Sequence, residues 1–200
     1  MKHFTLTPVK TILKMALFFA LTITLTNCSK DDDNPIPNPE VNPLAEYLTV
    51  TGFNQVTDEI IDSADYEFGI TFIPAVNGKI TAITAKIPDT HIATRVTIWN
   101  KTTATVIRTE SIDIASAGVE VTKAISQLSL TAGTEYMITF NSNDWYNRER
   151  TDGTGITYPV SVGDISITGY AYAGGTAQVL PTAFNLDYYA GDLSFKFQKD

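Results

Sequence analysis

Phe68-Gly69-Ile70-Thr71-Phe72, Glu135-Tyr136-Met137-Ile138-Thr139-Phe140 and Leu193-Ser194-Phe195-Lys196-Phe197-Gln198 are the stretches whose reading decides the fold. Phe68, Ile70 and Phe72 fall on one face against Gly69 and Thr71. Tyr136, Ile138 and Phe140 oppose Glu135 and Thr139, and Leu193, Phe195 and Phe197 oppose Ser194, Lys196 and Gln198. Successive side chains of a strand point to opposite faces, so a period of two predicts strands with one buried and one wet face. Working outward, Thr and Ile are abundant from residue 48 on, and no window of a dozen residues sustains a helical period. Less regular strands are expected at 79–87, 94–99, 104–112, 119–125 and 164–173, punctuated by Asn77-Gly78, Ala132-Gly133 and Gly174-Gly175. A short helix fits 56–65, where Thr57 would cap it and Asp58-Glu59 would sit in its first turn.

Roughly eight short strands at this spacing predict an all-β domain, a single antiparallel β-sandwich of jelly-roll or immunoglobulin-like type. Ahead of it, Lys2, Lys10 and Lys14 precede an uncharged, mostly apolar run from Met15 to Thr26. That run is shorter than the ~20 residues a membrane span needs, and it reads as a secretory signal. Leu25-Thr26-Asn27-Cys28 then resembles the lipobox of bacterial lipoproteins, with Asn27 standing where a small Gly, Ala or Ser is usual. The resemblance implies that Cys28 begins the mature chain and carries the acyl chains, palmitate among them, that hold it in outer-membrane lipid. Lys30-Asp31-Asp32-Asp33 resembles the acidic signal that sends such lipoproteins to the cell surface, a solvated spacer being the alternative. Residues 29–43 carry Pro35, Pro37, Pro39 and Pro43 among Asn, Asp and Glu, a composition that prefers extended polyproline II. Such a tether reaches about 45 Å. The expected organisation is therefore a signal peptide at 1–27, a lipidated tether at 28–43 and a β-sandwich domain at 44–200.

From Cys28 onward the chain loses three of its 14 Lys and Arg and none of its 22 Asp and Glu, a formal charge of −11. Nucleic acid is excluded as a natural partner by that balance. With a single cysteine no intramolecular disulfide forms, so the domain must be held by its core.

Tyr66-Glu67-Phe68-Gly69-Ile70-Thr71-Phe72, Val76-Asn77-Gly78-Lys79-Ile80-Thr81-Ala82-Ile83, Val96-Thr97-Ile98-Trp99-Asn100 and Leu128-Ser129-Leu130-Thr131-Ala132-Gly133-Thr134-Glu135-Tyr136 carry a further resemblance. Together, over 66–198, they resemble a family of uncharacterised bacterial extracellular β-sandwich domains often found beside immunoglobulin-like or carbohydrate-active modules. The resemblance implies a fold and no established activity. In physical terms, Gly133 supplies a turn conformation and Tyr136 opens the buried face of the next strand.

The densest useful chemistry lies in Asn141-Ser142-Asn143-Asp144-Trp145-Tyr146-Asn147-Arg148-Glu149-Arg150-Thr151-Asp152-Gly153, read as a loop at one end of the sandwich. Trp145 and Tyr146 offer flat faces that stack on a sugar ring, while Asn143, Asp144 and Arg148 can hydrogen-bond its hydroxyls. The alternative is that Trp145 plugs the core and the polar residues cap turns. Strand parity at 165–172 puts Ile165, Ile167 and Ala171 on one face and Ser166, Thr168, Tyr170 and Tyr172 on the other, making Tyr170 and Tyr172 candidate surface aromatics unless a bulge inverts the parity. Tyr188-Tyr189 can join them. By the same parity Trp99 lies opposite Val96 and Ile98; for each of these aromatics the alternative is a second buried face, covered by a loop on the flank of the sandwich.

Asn141, Asn143, Asn147 and Asp152 have a superficial calcium-loop rhythm, but Tyr146 stands where an EF-hand needs Gly, so no metal or other cofactor is expected. His91 is the only histidine of the mature chain, which leaves a Ser or Cys nucleophile without its usual base. Asp144, Glu149 and Asp152 crowd one segment rather than flanking a cleft as glycosidase carboxylates do. The expectation is a surface lipoprotein that binds a glycan or other extracellular ligand without catalysis. A structural or adhesive envelope lipoprotein with a protein partner is the alternative.

Overall fold

The computed structural model describes residues 37–200; the signal read over 1–27, Cys28, the acidic run and the tether as far as Ile36 lie outside them. The described chain opens with a helix, α1 (Leu44–Thr51), followed by β1 (Val56–Pro74), β2 (Gly78–Ala85), β3 (His91–Asn100), β4 (Thr105–Ile114), β5 (Val121–Leu130) and β6 (Tyr136–Glu149). β7 (Val160–Val162), β8 (Ile165–Gly174), β9 (Ala183–Phe184), β10 (Tyr188–Ala190) and β11 (Leu193–Lys199) complete it. One sheet runs β4-β3-β6-β1-β8-β7, with β10 added to β6 and β9 to β8; the other is β11-β2-β5. The ladders are antiparallel, and the fold is the all-β sandwich that the alternation predicts.

The three opening stretches meet in the core. Phe68, Ile70, Phe72, Tyr136, Ile138, Phe140, Leu193, Phe195 and Phe197 are all buried in one cluster. Phe72 joins the sheets, its ring centroid 4.5 Å from Phe195 and 5.8 Å from Tyr136. Each such side chain contributes roughly 1.5–3 kcal/mol by leaving water. Gly133 has φ +75°, and its N–H donates to Pro74 O at 2.9 Å, closing the turn ahead of β6.

Two expectations are corrected. Residues 56–65 are strand, not helix, because they pair with the far half of β6, Val56 with Glu149 and Ile60 with Trp145. The helix lies earlier, where Leu44, Tyr47, Leu48 and Thr51 recur at helical spacing and are buried. Asn42 Oδ1 accepts from Leu44 N–H at 3.1 Å at its start. The second correction concerns 141–153: β6 continues to Glu149, and only the residues beyond form a loop. The last tether residues also have partners, since Val41 and Phe197 exchange two backbone bonds of 2.8 Å and Ser194 Oγ donates to Asn42 Oδ1 at 2.7 Å.

A second apolar cluster, Trp99, Met137 and Ala171 with Leu180 against it, lies on the opposite face of the large sheet. Trp99 is thus on the face its parity gave, but under cover. Its Nε1 donates to Thr139 Oγ1 at 3.0 Å, and Thr139 Oγ1 donates to the fully buried Glu67, which Arg95 holds at 2.7 Å. Gln178 reaches over this face to Thr97 and Thr109. Among the described residues no helix is long and apolar enough to cross a membrane.

β1 and β6 approach closely at Gly69, where an added Cβ would lie 1.9 Å from Ile138 O. Gly69→Ala is expected to cost about 3 kcal/mol through overpacking, whereas Gly174→Ala, whose Cβ meets nothing nearer than Tyr66 at 4.0 Å, is expected to be neutral or slightly stabilising. Denaturant unfolding of the two variants checks the difference.

Candidate functional site

Two inversions of strand parity build the site. Phe140 and Trp145 are an odd number of residues apart, which in a regular strand puts them on opposite faces. Yet both rings pack on Phe68, with centroids 4.5 and 5.6 Å away. The ladder between β1 and β6 shifts register between Ile61 and Tyr66, and opposite that shift Ser142 Oγ and Asp144 bond each other locally. This bulge turns Trp145 onto the side of Phe68. In β8 the register against β1 shifts between Thr71 and Phe72, which pair with Gly169 and Ile167. Thr168 is the extra residue. Tyr170 therefore joins Ile165 and Ile167 in the main core and Tyr172 packs beside it, while Ala171 goes to the other face. The parity that set both tyrosines opposite Ile165 and Ile167 is corrected by this bulge.

The consequence is a cavity of about 310 Å³ lined by Ile60, Tyr66, Phe68, Trp145, Asn147, Tyr170, Tyr172, Tyr188 and Ala190. Tyr66, Trp145, Tyr172 and Tyr188 are half-buried. The rings are mutually inclined: Tyr66 and Trp145 at 77° and 5.4 Å, Tyr170 and Tyr188 at 61° and 5.8 Å, with Tyr172 stacked on Tyr170 at 6.3 Å. Burial holds the Tyr170 hydroxyl well above the usual tyrosine range and raises Tyr188 as well, with Tyr172 and then Glu149 adding to the latter. Both stay protonated, hence donors, at neutral pH.

Of the residues picked from sequence, Trp145, Tyr170, Tyr172 and Tyr188 meet here, while Tyr189 is buried in the core and does not line the cavity. Asn143, Asp144, Tyr146 and Arg148 do not line the cavity, and the last three alternate with Trp145 on the opposite side of the strand. Tyr146 is buried, with the Lys86 ammonium 4.6 Å from its ring centroid. Arg148 donates through Nε to Asp192 Oδ1 at 2.6 Å and through Nη2 to Oδ2, a paired arrangement that raises its pKa further. Asn143 Nδ2 donates to Asp62 O at 2.8 Å. Tyr66, Phe68, Ile60, Asn147 and Ala190 enter the site unannounced. Tyr66 alone had a signal, since it extends the alternation of Phe68, Ile70 and Phe72 backward by one step.

The remaining chemistry is dispersed. Asn141 donates to Gly175 O and Asn147 to Glu149 Oε1, while Asp152 accepts from Thr154. No group of three or more His, Cys, Asp or Glu gathers in metal-binding geometry among the described residues. His91 Nδ1 is 2.8 Å from Thr94 Oγ1. No protein-family model matches the chain, and no curated protein matches it.

Asp144 is 4% exposed, and its Oδ1 has no hydrogen-bond partner. Burial, then the Asp89 carboxylate, raise its pKa above the ordinary aspartate value. A carboxyl whose pKa is higher folded than unfolded binds more protons in the native state, so its ionisation erodes stability as pH rises from about 4 through the folded pKa. Asp144→Asn is expected to raise the melting temperature at pH 7, with the advantage shrinking toward pH 4. Thermal unfolding across that range reads it; an advantage independent of pH would refute the assignment.

Proposed function

We propose that this chain is a lipoprotein anchored through Cys28 at the outer membrane, facing the cell exterior, and that its domain is a non-catalytic binding module for a glycan or other extracellular ligand. The aromatic cavity around Trp145 is the observation that carries the binding reading. A pyranose presents an apolar C–H face and a rim of hydroxyls, and the cavity offers inclined aromatic faces with tyrosine hydroxyls and the Asn147 amide at hand. The ligand residues are thus Trp145, Tyr170 and Tyr172, joined by Tyr66, Tyr188 and Asn147. The anchor rests on the Lys-rich start, the apolar run and the Leu25-Thr26-Asn27-Cys28 sequence.

A structural or adhesive role with a protein partner is the second reading. A groove of about 630 Å³ between Ile156-Thr157-Tyr158 and Leu180 to Leu186 supports it, with Phe184 73% and Leu186 43% exposed beside it. Large apolar side chains in solvent are common at protein interfaces.

Purified full-length protein in a non-ionic detergent is expected to bind a subset of a glycan array, and Trp145→Ala to lose that binding. Tyr188→Phe, which keeps the ring, is expected to weaken it by up to about ten-fold through one lost hydrogen bond. A folded protein that captures no glycan would leave the protein-partner reading. Cys28→Ala is expected to release the protein from membranes on fractionation; continued retention would count against the anchor.

A further inference from the structure

We propose that the aromatic cavity seats an organic ammonium group, carried by an amino sugar or by an alkylammonium compound, in preference to a neutral or anionic counterpart. The inference rests on the cavity being a binding site and adds the charge of its ligand. Its lining contains five tyrosine or tryptophan rings and one phenylalanine, and no Lys or Arg. An aromatic ring is negative on its face, so a cation within about 6 Å of the ring centre is attracted and an anion repelled. Centroids 5.4 to 6.3 Å apart put a guest in reach of several rings at once.

The surroundings carry the same sign. Glu149 stands beside the cavity, its Oε1 accepting from the lining Asn147 at 2.6 Å, and its charge acts on Tyr188. Nearby cations are directed elsewhere. Arg148 is held by Asp192 and Thr57 on the other side of β6, and Arg95 by Glu67 on the far face of the sheet. Arg150 lies 3.8 Å from Asp152 and lines a different groove, beside Val50 and Pro159. A carboxylate or sulfate brought into the cavity would meet aromatic rings and Glu149 with no compensating cation in the lining, whereas an ammonium would be attracted by the ring faces it can reach and by Glu149.

Titration of the full-length protein in non-ionic detergent, followed by calorimetry and tryptophan fluorescence, tests this. The probes are choline against its neutral isostere 3,3-dimethylbutan-1-ol, and glucosamine oligomers against their N-acetylated and galacturonate counterparts. The ammonium member of a pair is expected to bind at least about ten-fold tighter than the neutral one, the choline and sugar arms separating the two sources. Galacturonate is expected not to bind. Glu149→Gln is expected to weaken the ammonium probes by about two- to five-fold and leave the neutral ones unchanged. Neutral sugars binding as tightly as amines, or galacturonate binding as well as either, would overturn the charge preference and leave the binding-module reading standing. No binding of any probe to the folded protein would overturn both.

Discussion

The rest of the molecule depends on the antiparallel ladder between β1 and β6, which runs from Phe72 opposite Tyr136 to Val56 opposite Glu149. Its first half is regular, and Gly69 lets the backbones meet where any larger residue would strike Ile138. Neighbouring strands add on either side, β8 to β1 and β3 to β6, so this central pair sets the register of the large sheet. Its second half lies beyond a bulge. The bulge is what allows Trp145 and Ile60 to share a cavity with Tyr66 and Phe68 from the regular half.

The two faces of that sheet are stabilised differently. Toward β11-β2-β5 the contact is apolar and aromatic, and it extends through Tyr189 and Tyr170 to Tyr47 of α1. Burial leaves few hydroxyls there without partners: Tyr47 and Tyr158 share one bond of 2.7 Å, and Tyr189 donates to Gly191 O and Leu193 O. The opposite face carries a polar chain from Trp99 through Thr139 to Glu67 and Arg95, under the segment that holds Gln178. A buried ion pair adds little net stability, because desolvation offsets its attraction. Leaving Glu67 unpaired, however, would be costly, so the pair fixes how β3 and the 175–180 segment sit on the sheet.

Legibility in the sequence followed local regularity. The stretches around Ile70, Ile138 and Phe195 declared themselves because each repeats its apolar residues at a period of two, and each has its buried face where that period puts it; the opposite face, expected to be wet, is covered as well, since Thr71, Met137, Thr139 and Ser194 are buried. The helix at Leu44–Thr51 has a readable pattern but spans only two turns, too short to stand out in a window of a dozen residues. Residues 141–149 were illegible as strand. Asn and Asp are poor strand formers, and only pairing with β1 overrides that preference. Asp58 and Glu59 suggested a helix start for the same reason, since a local signal says nothing about partners as distant in the chain as Asn147 and Tyr146.

By itself, the sequence determined the class of fold, the acidic charge, the absence of any intramolecular disulfide and the supply of aromatic and amide side chains that line the cavity. The address proposed for residues 1–33 rests on the sequence alone, because a processing signal is a linear segment and not a feature of the fold. Only the tertiary structure decided which aromatics face one another. It separated Trp145 from Tyr146, Asp144 and Arg148, its neighbours in sequence, and joined it to Tyr66, Tyr170, Tyr172 and Tyr188. The physical reason is that an irregularity in pairing, Thr168 in β8 and residues 62–65 opposite Asn143 in the β1–β6 ladder, exchanges the faces of a strand, and where it falls is set by the pairing of distant strands rather than by the residues next to it.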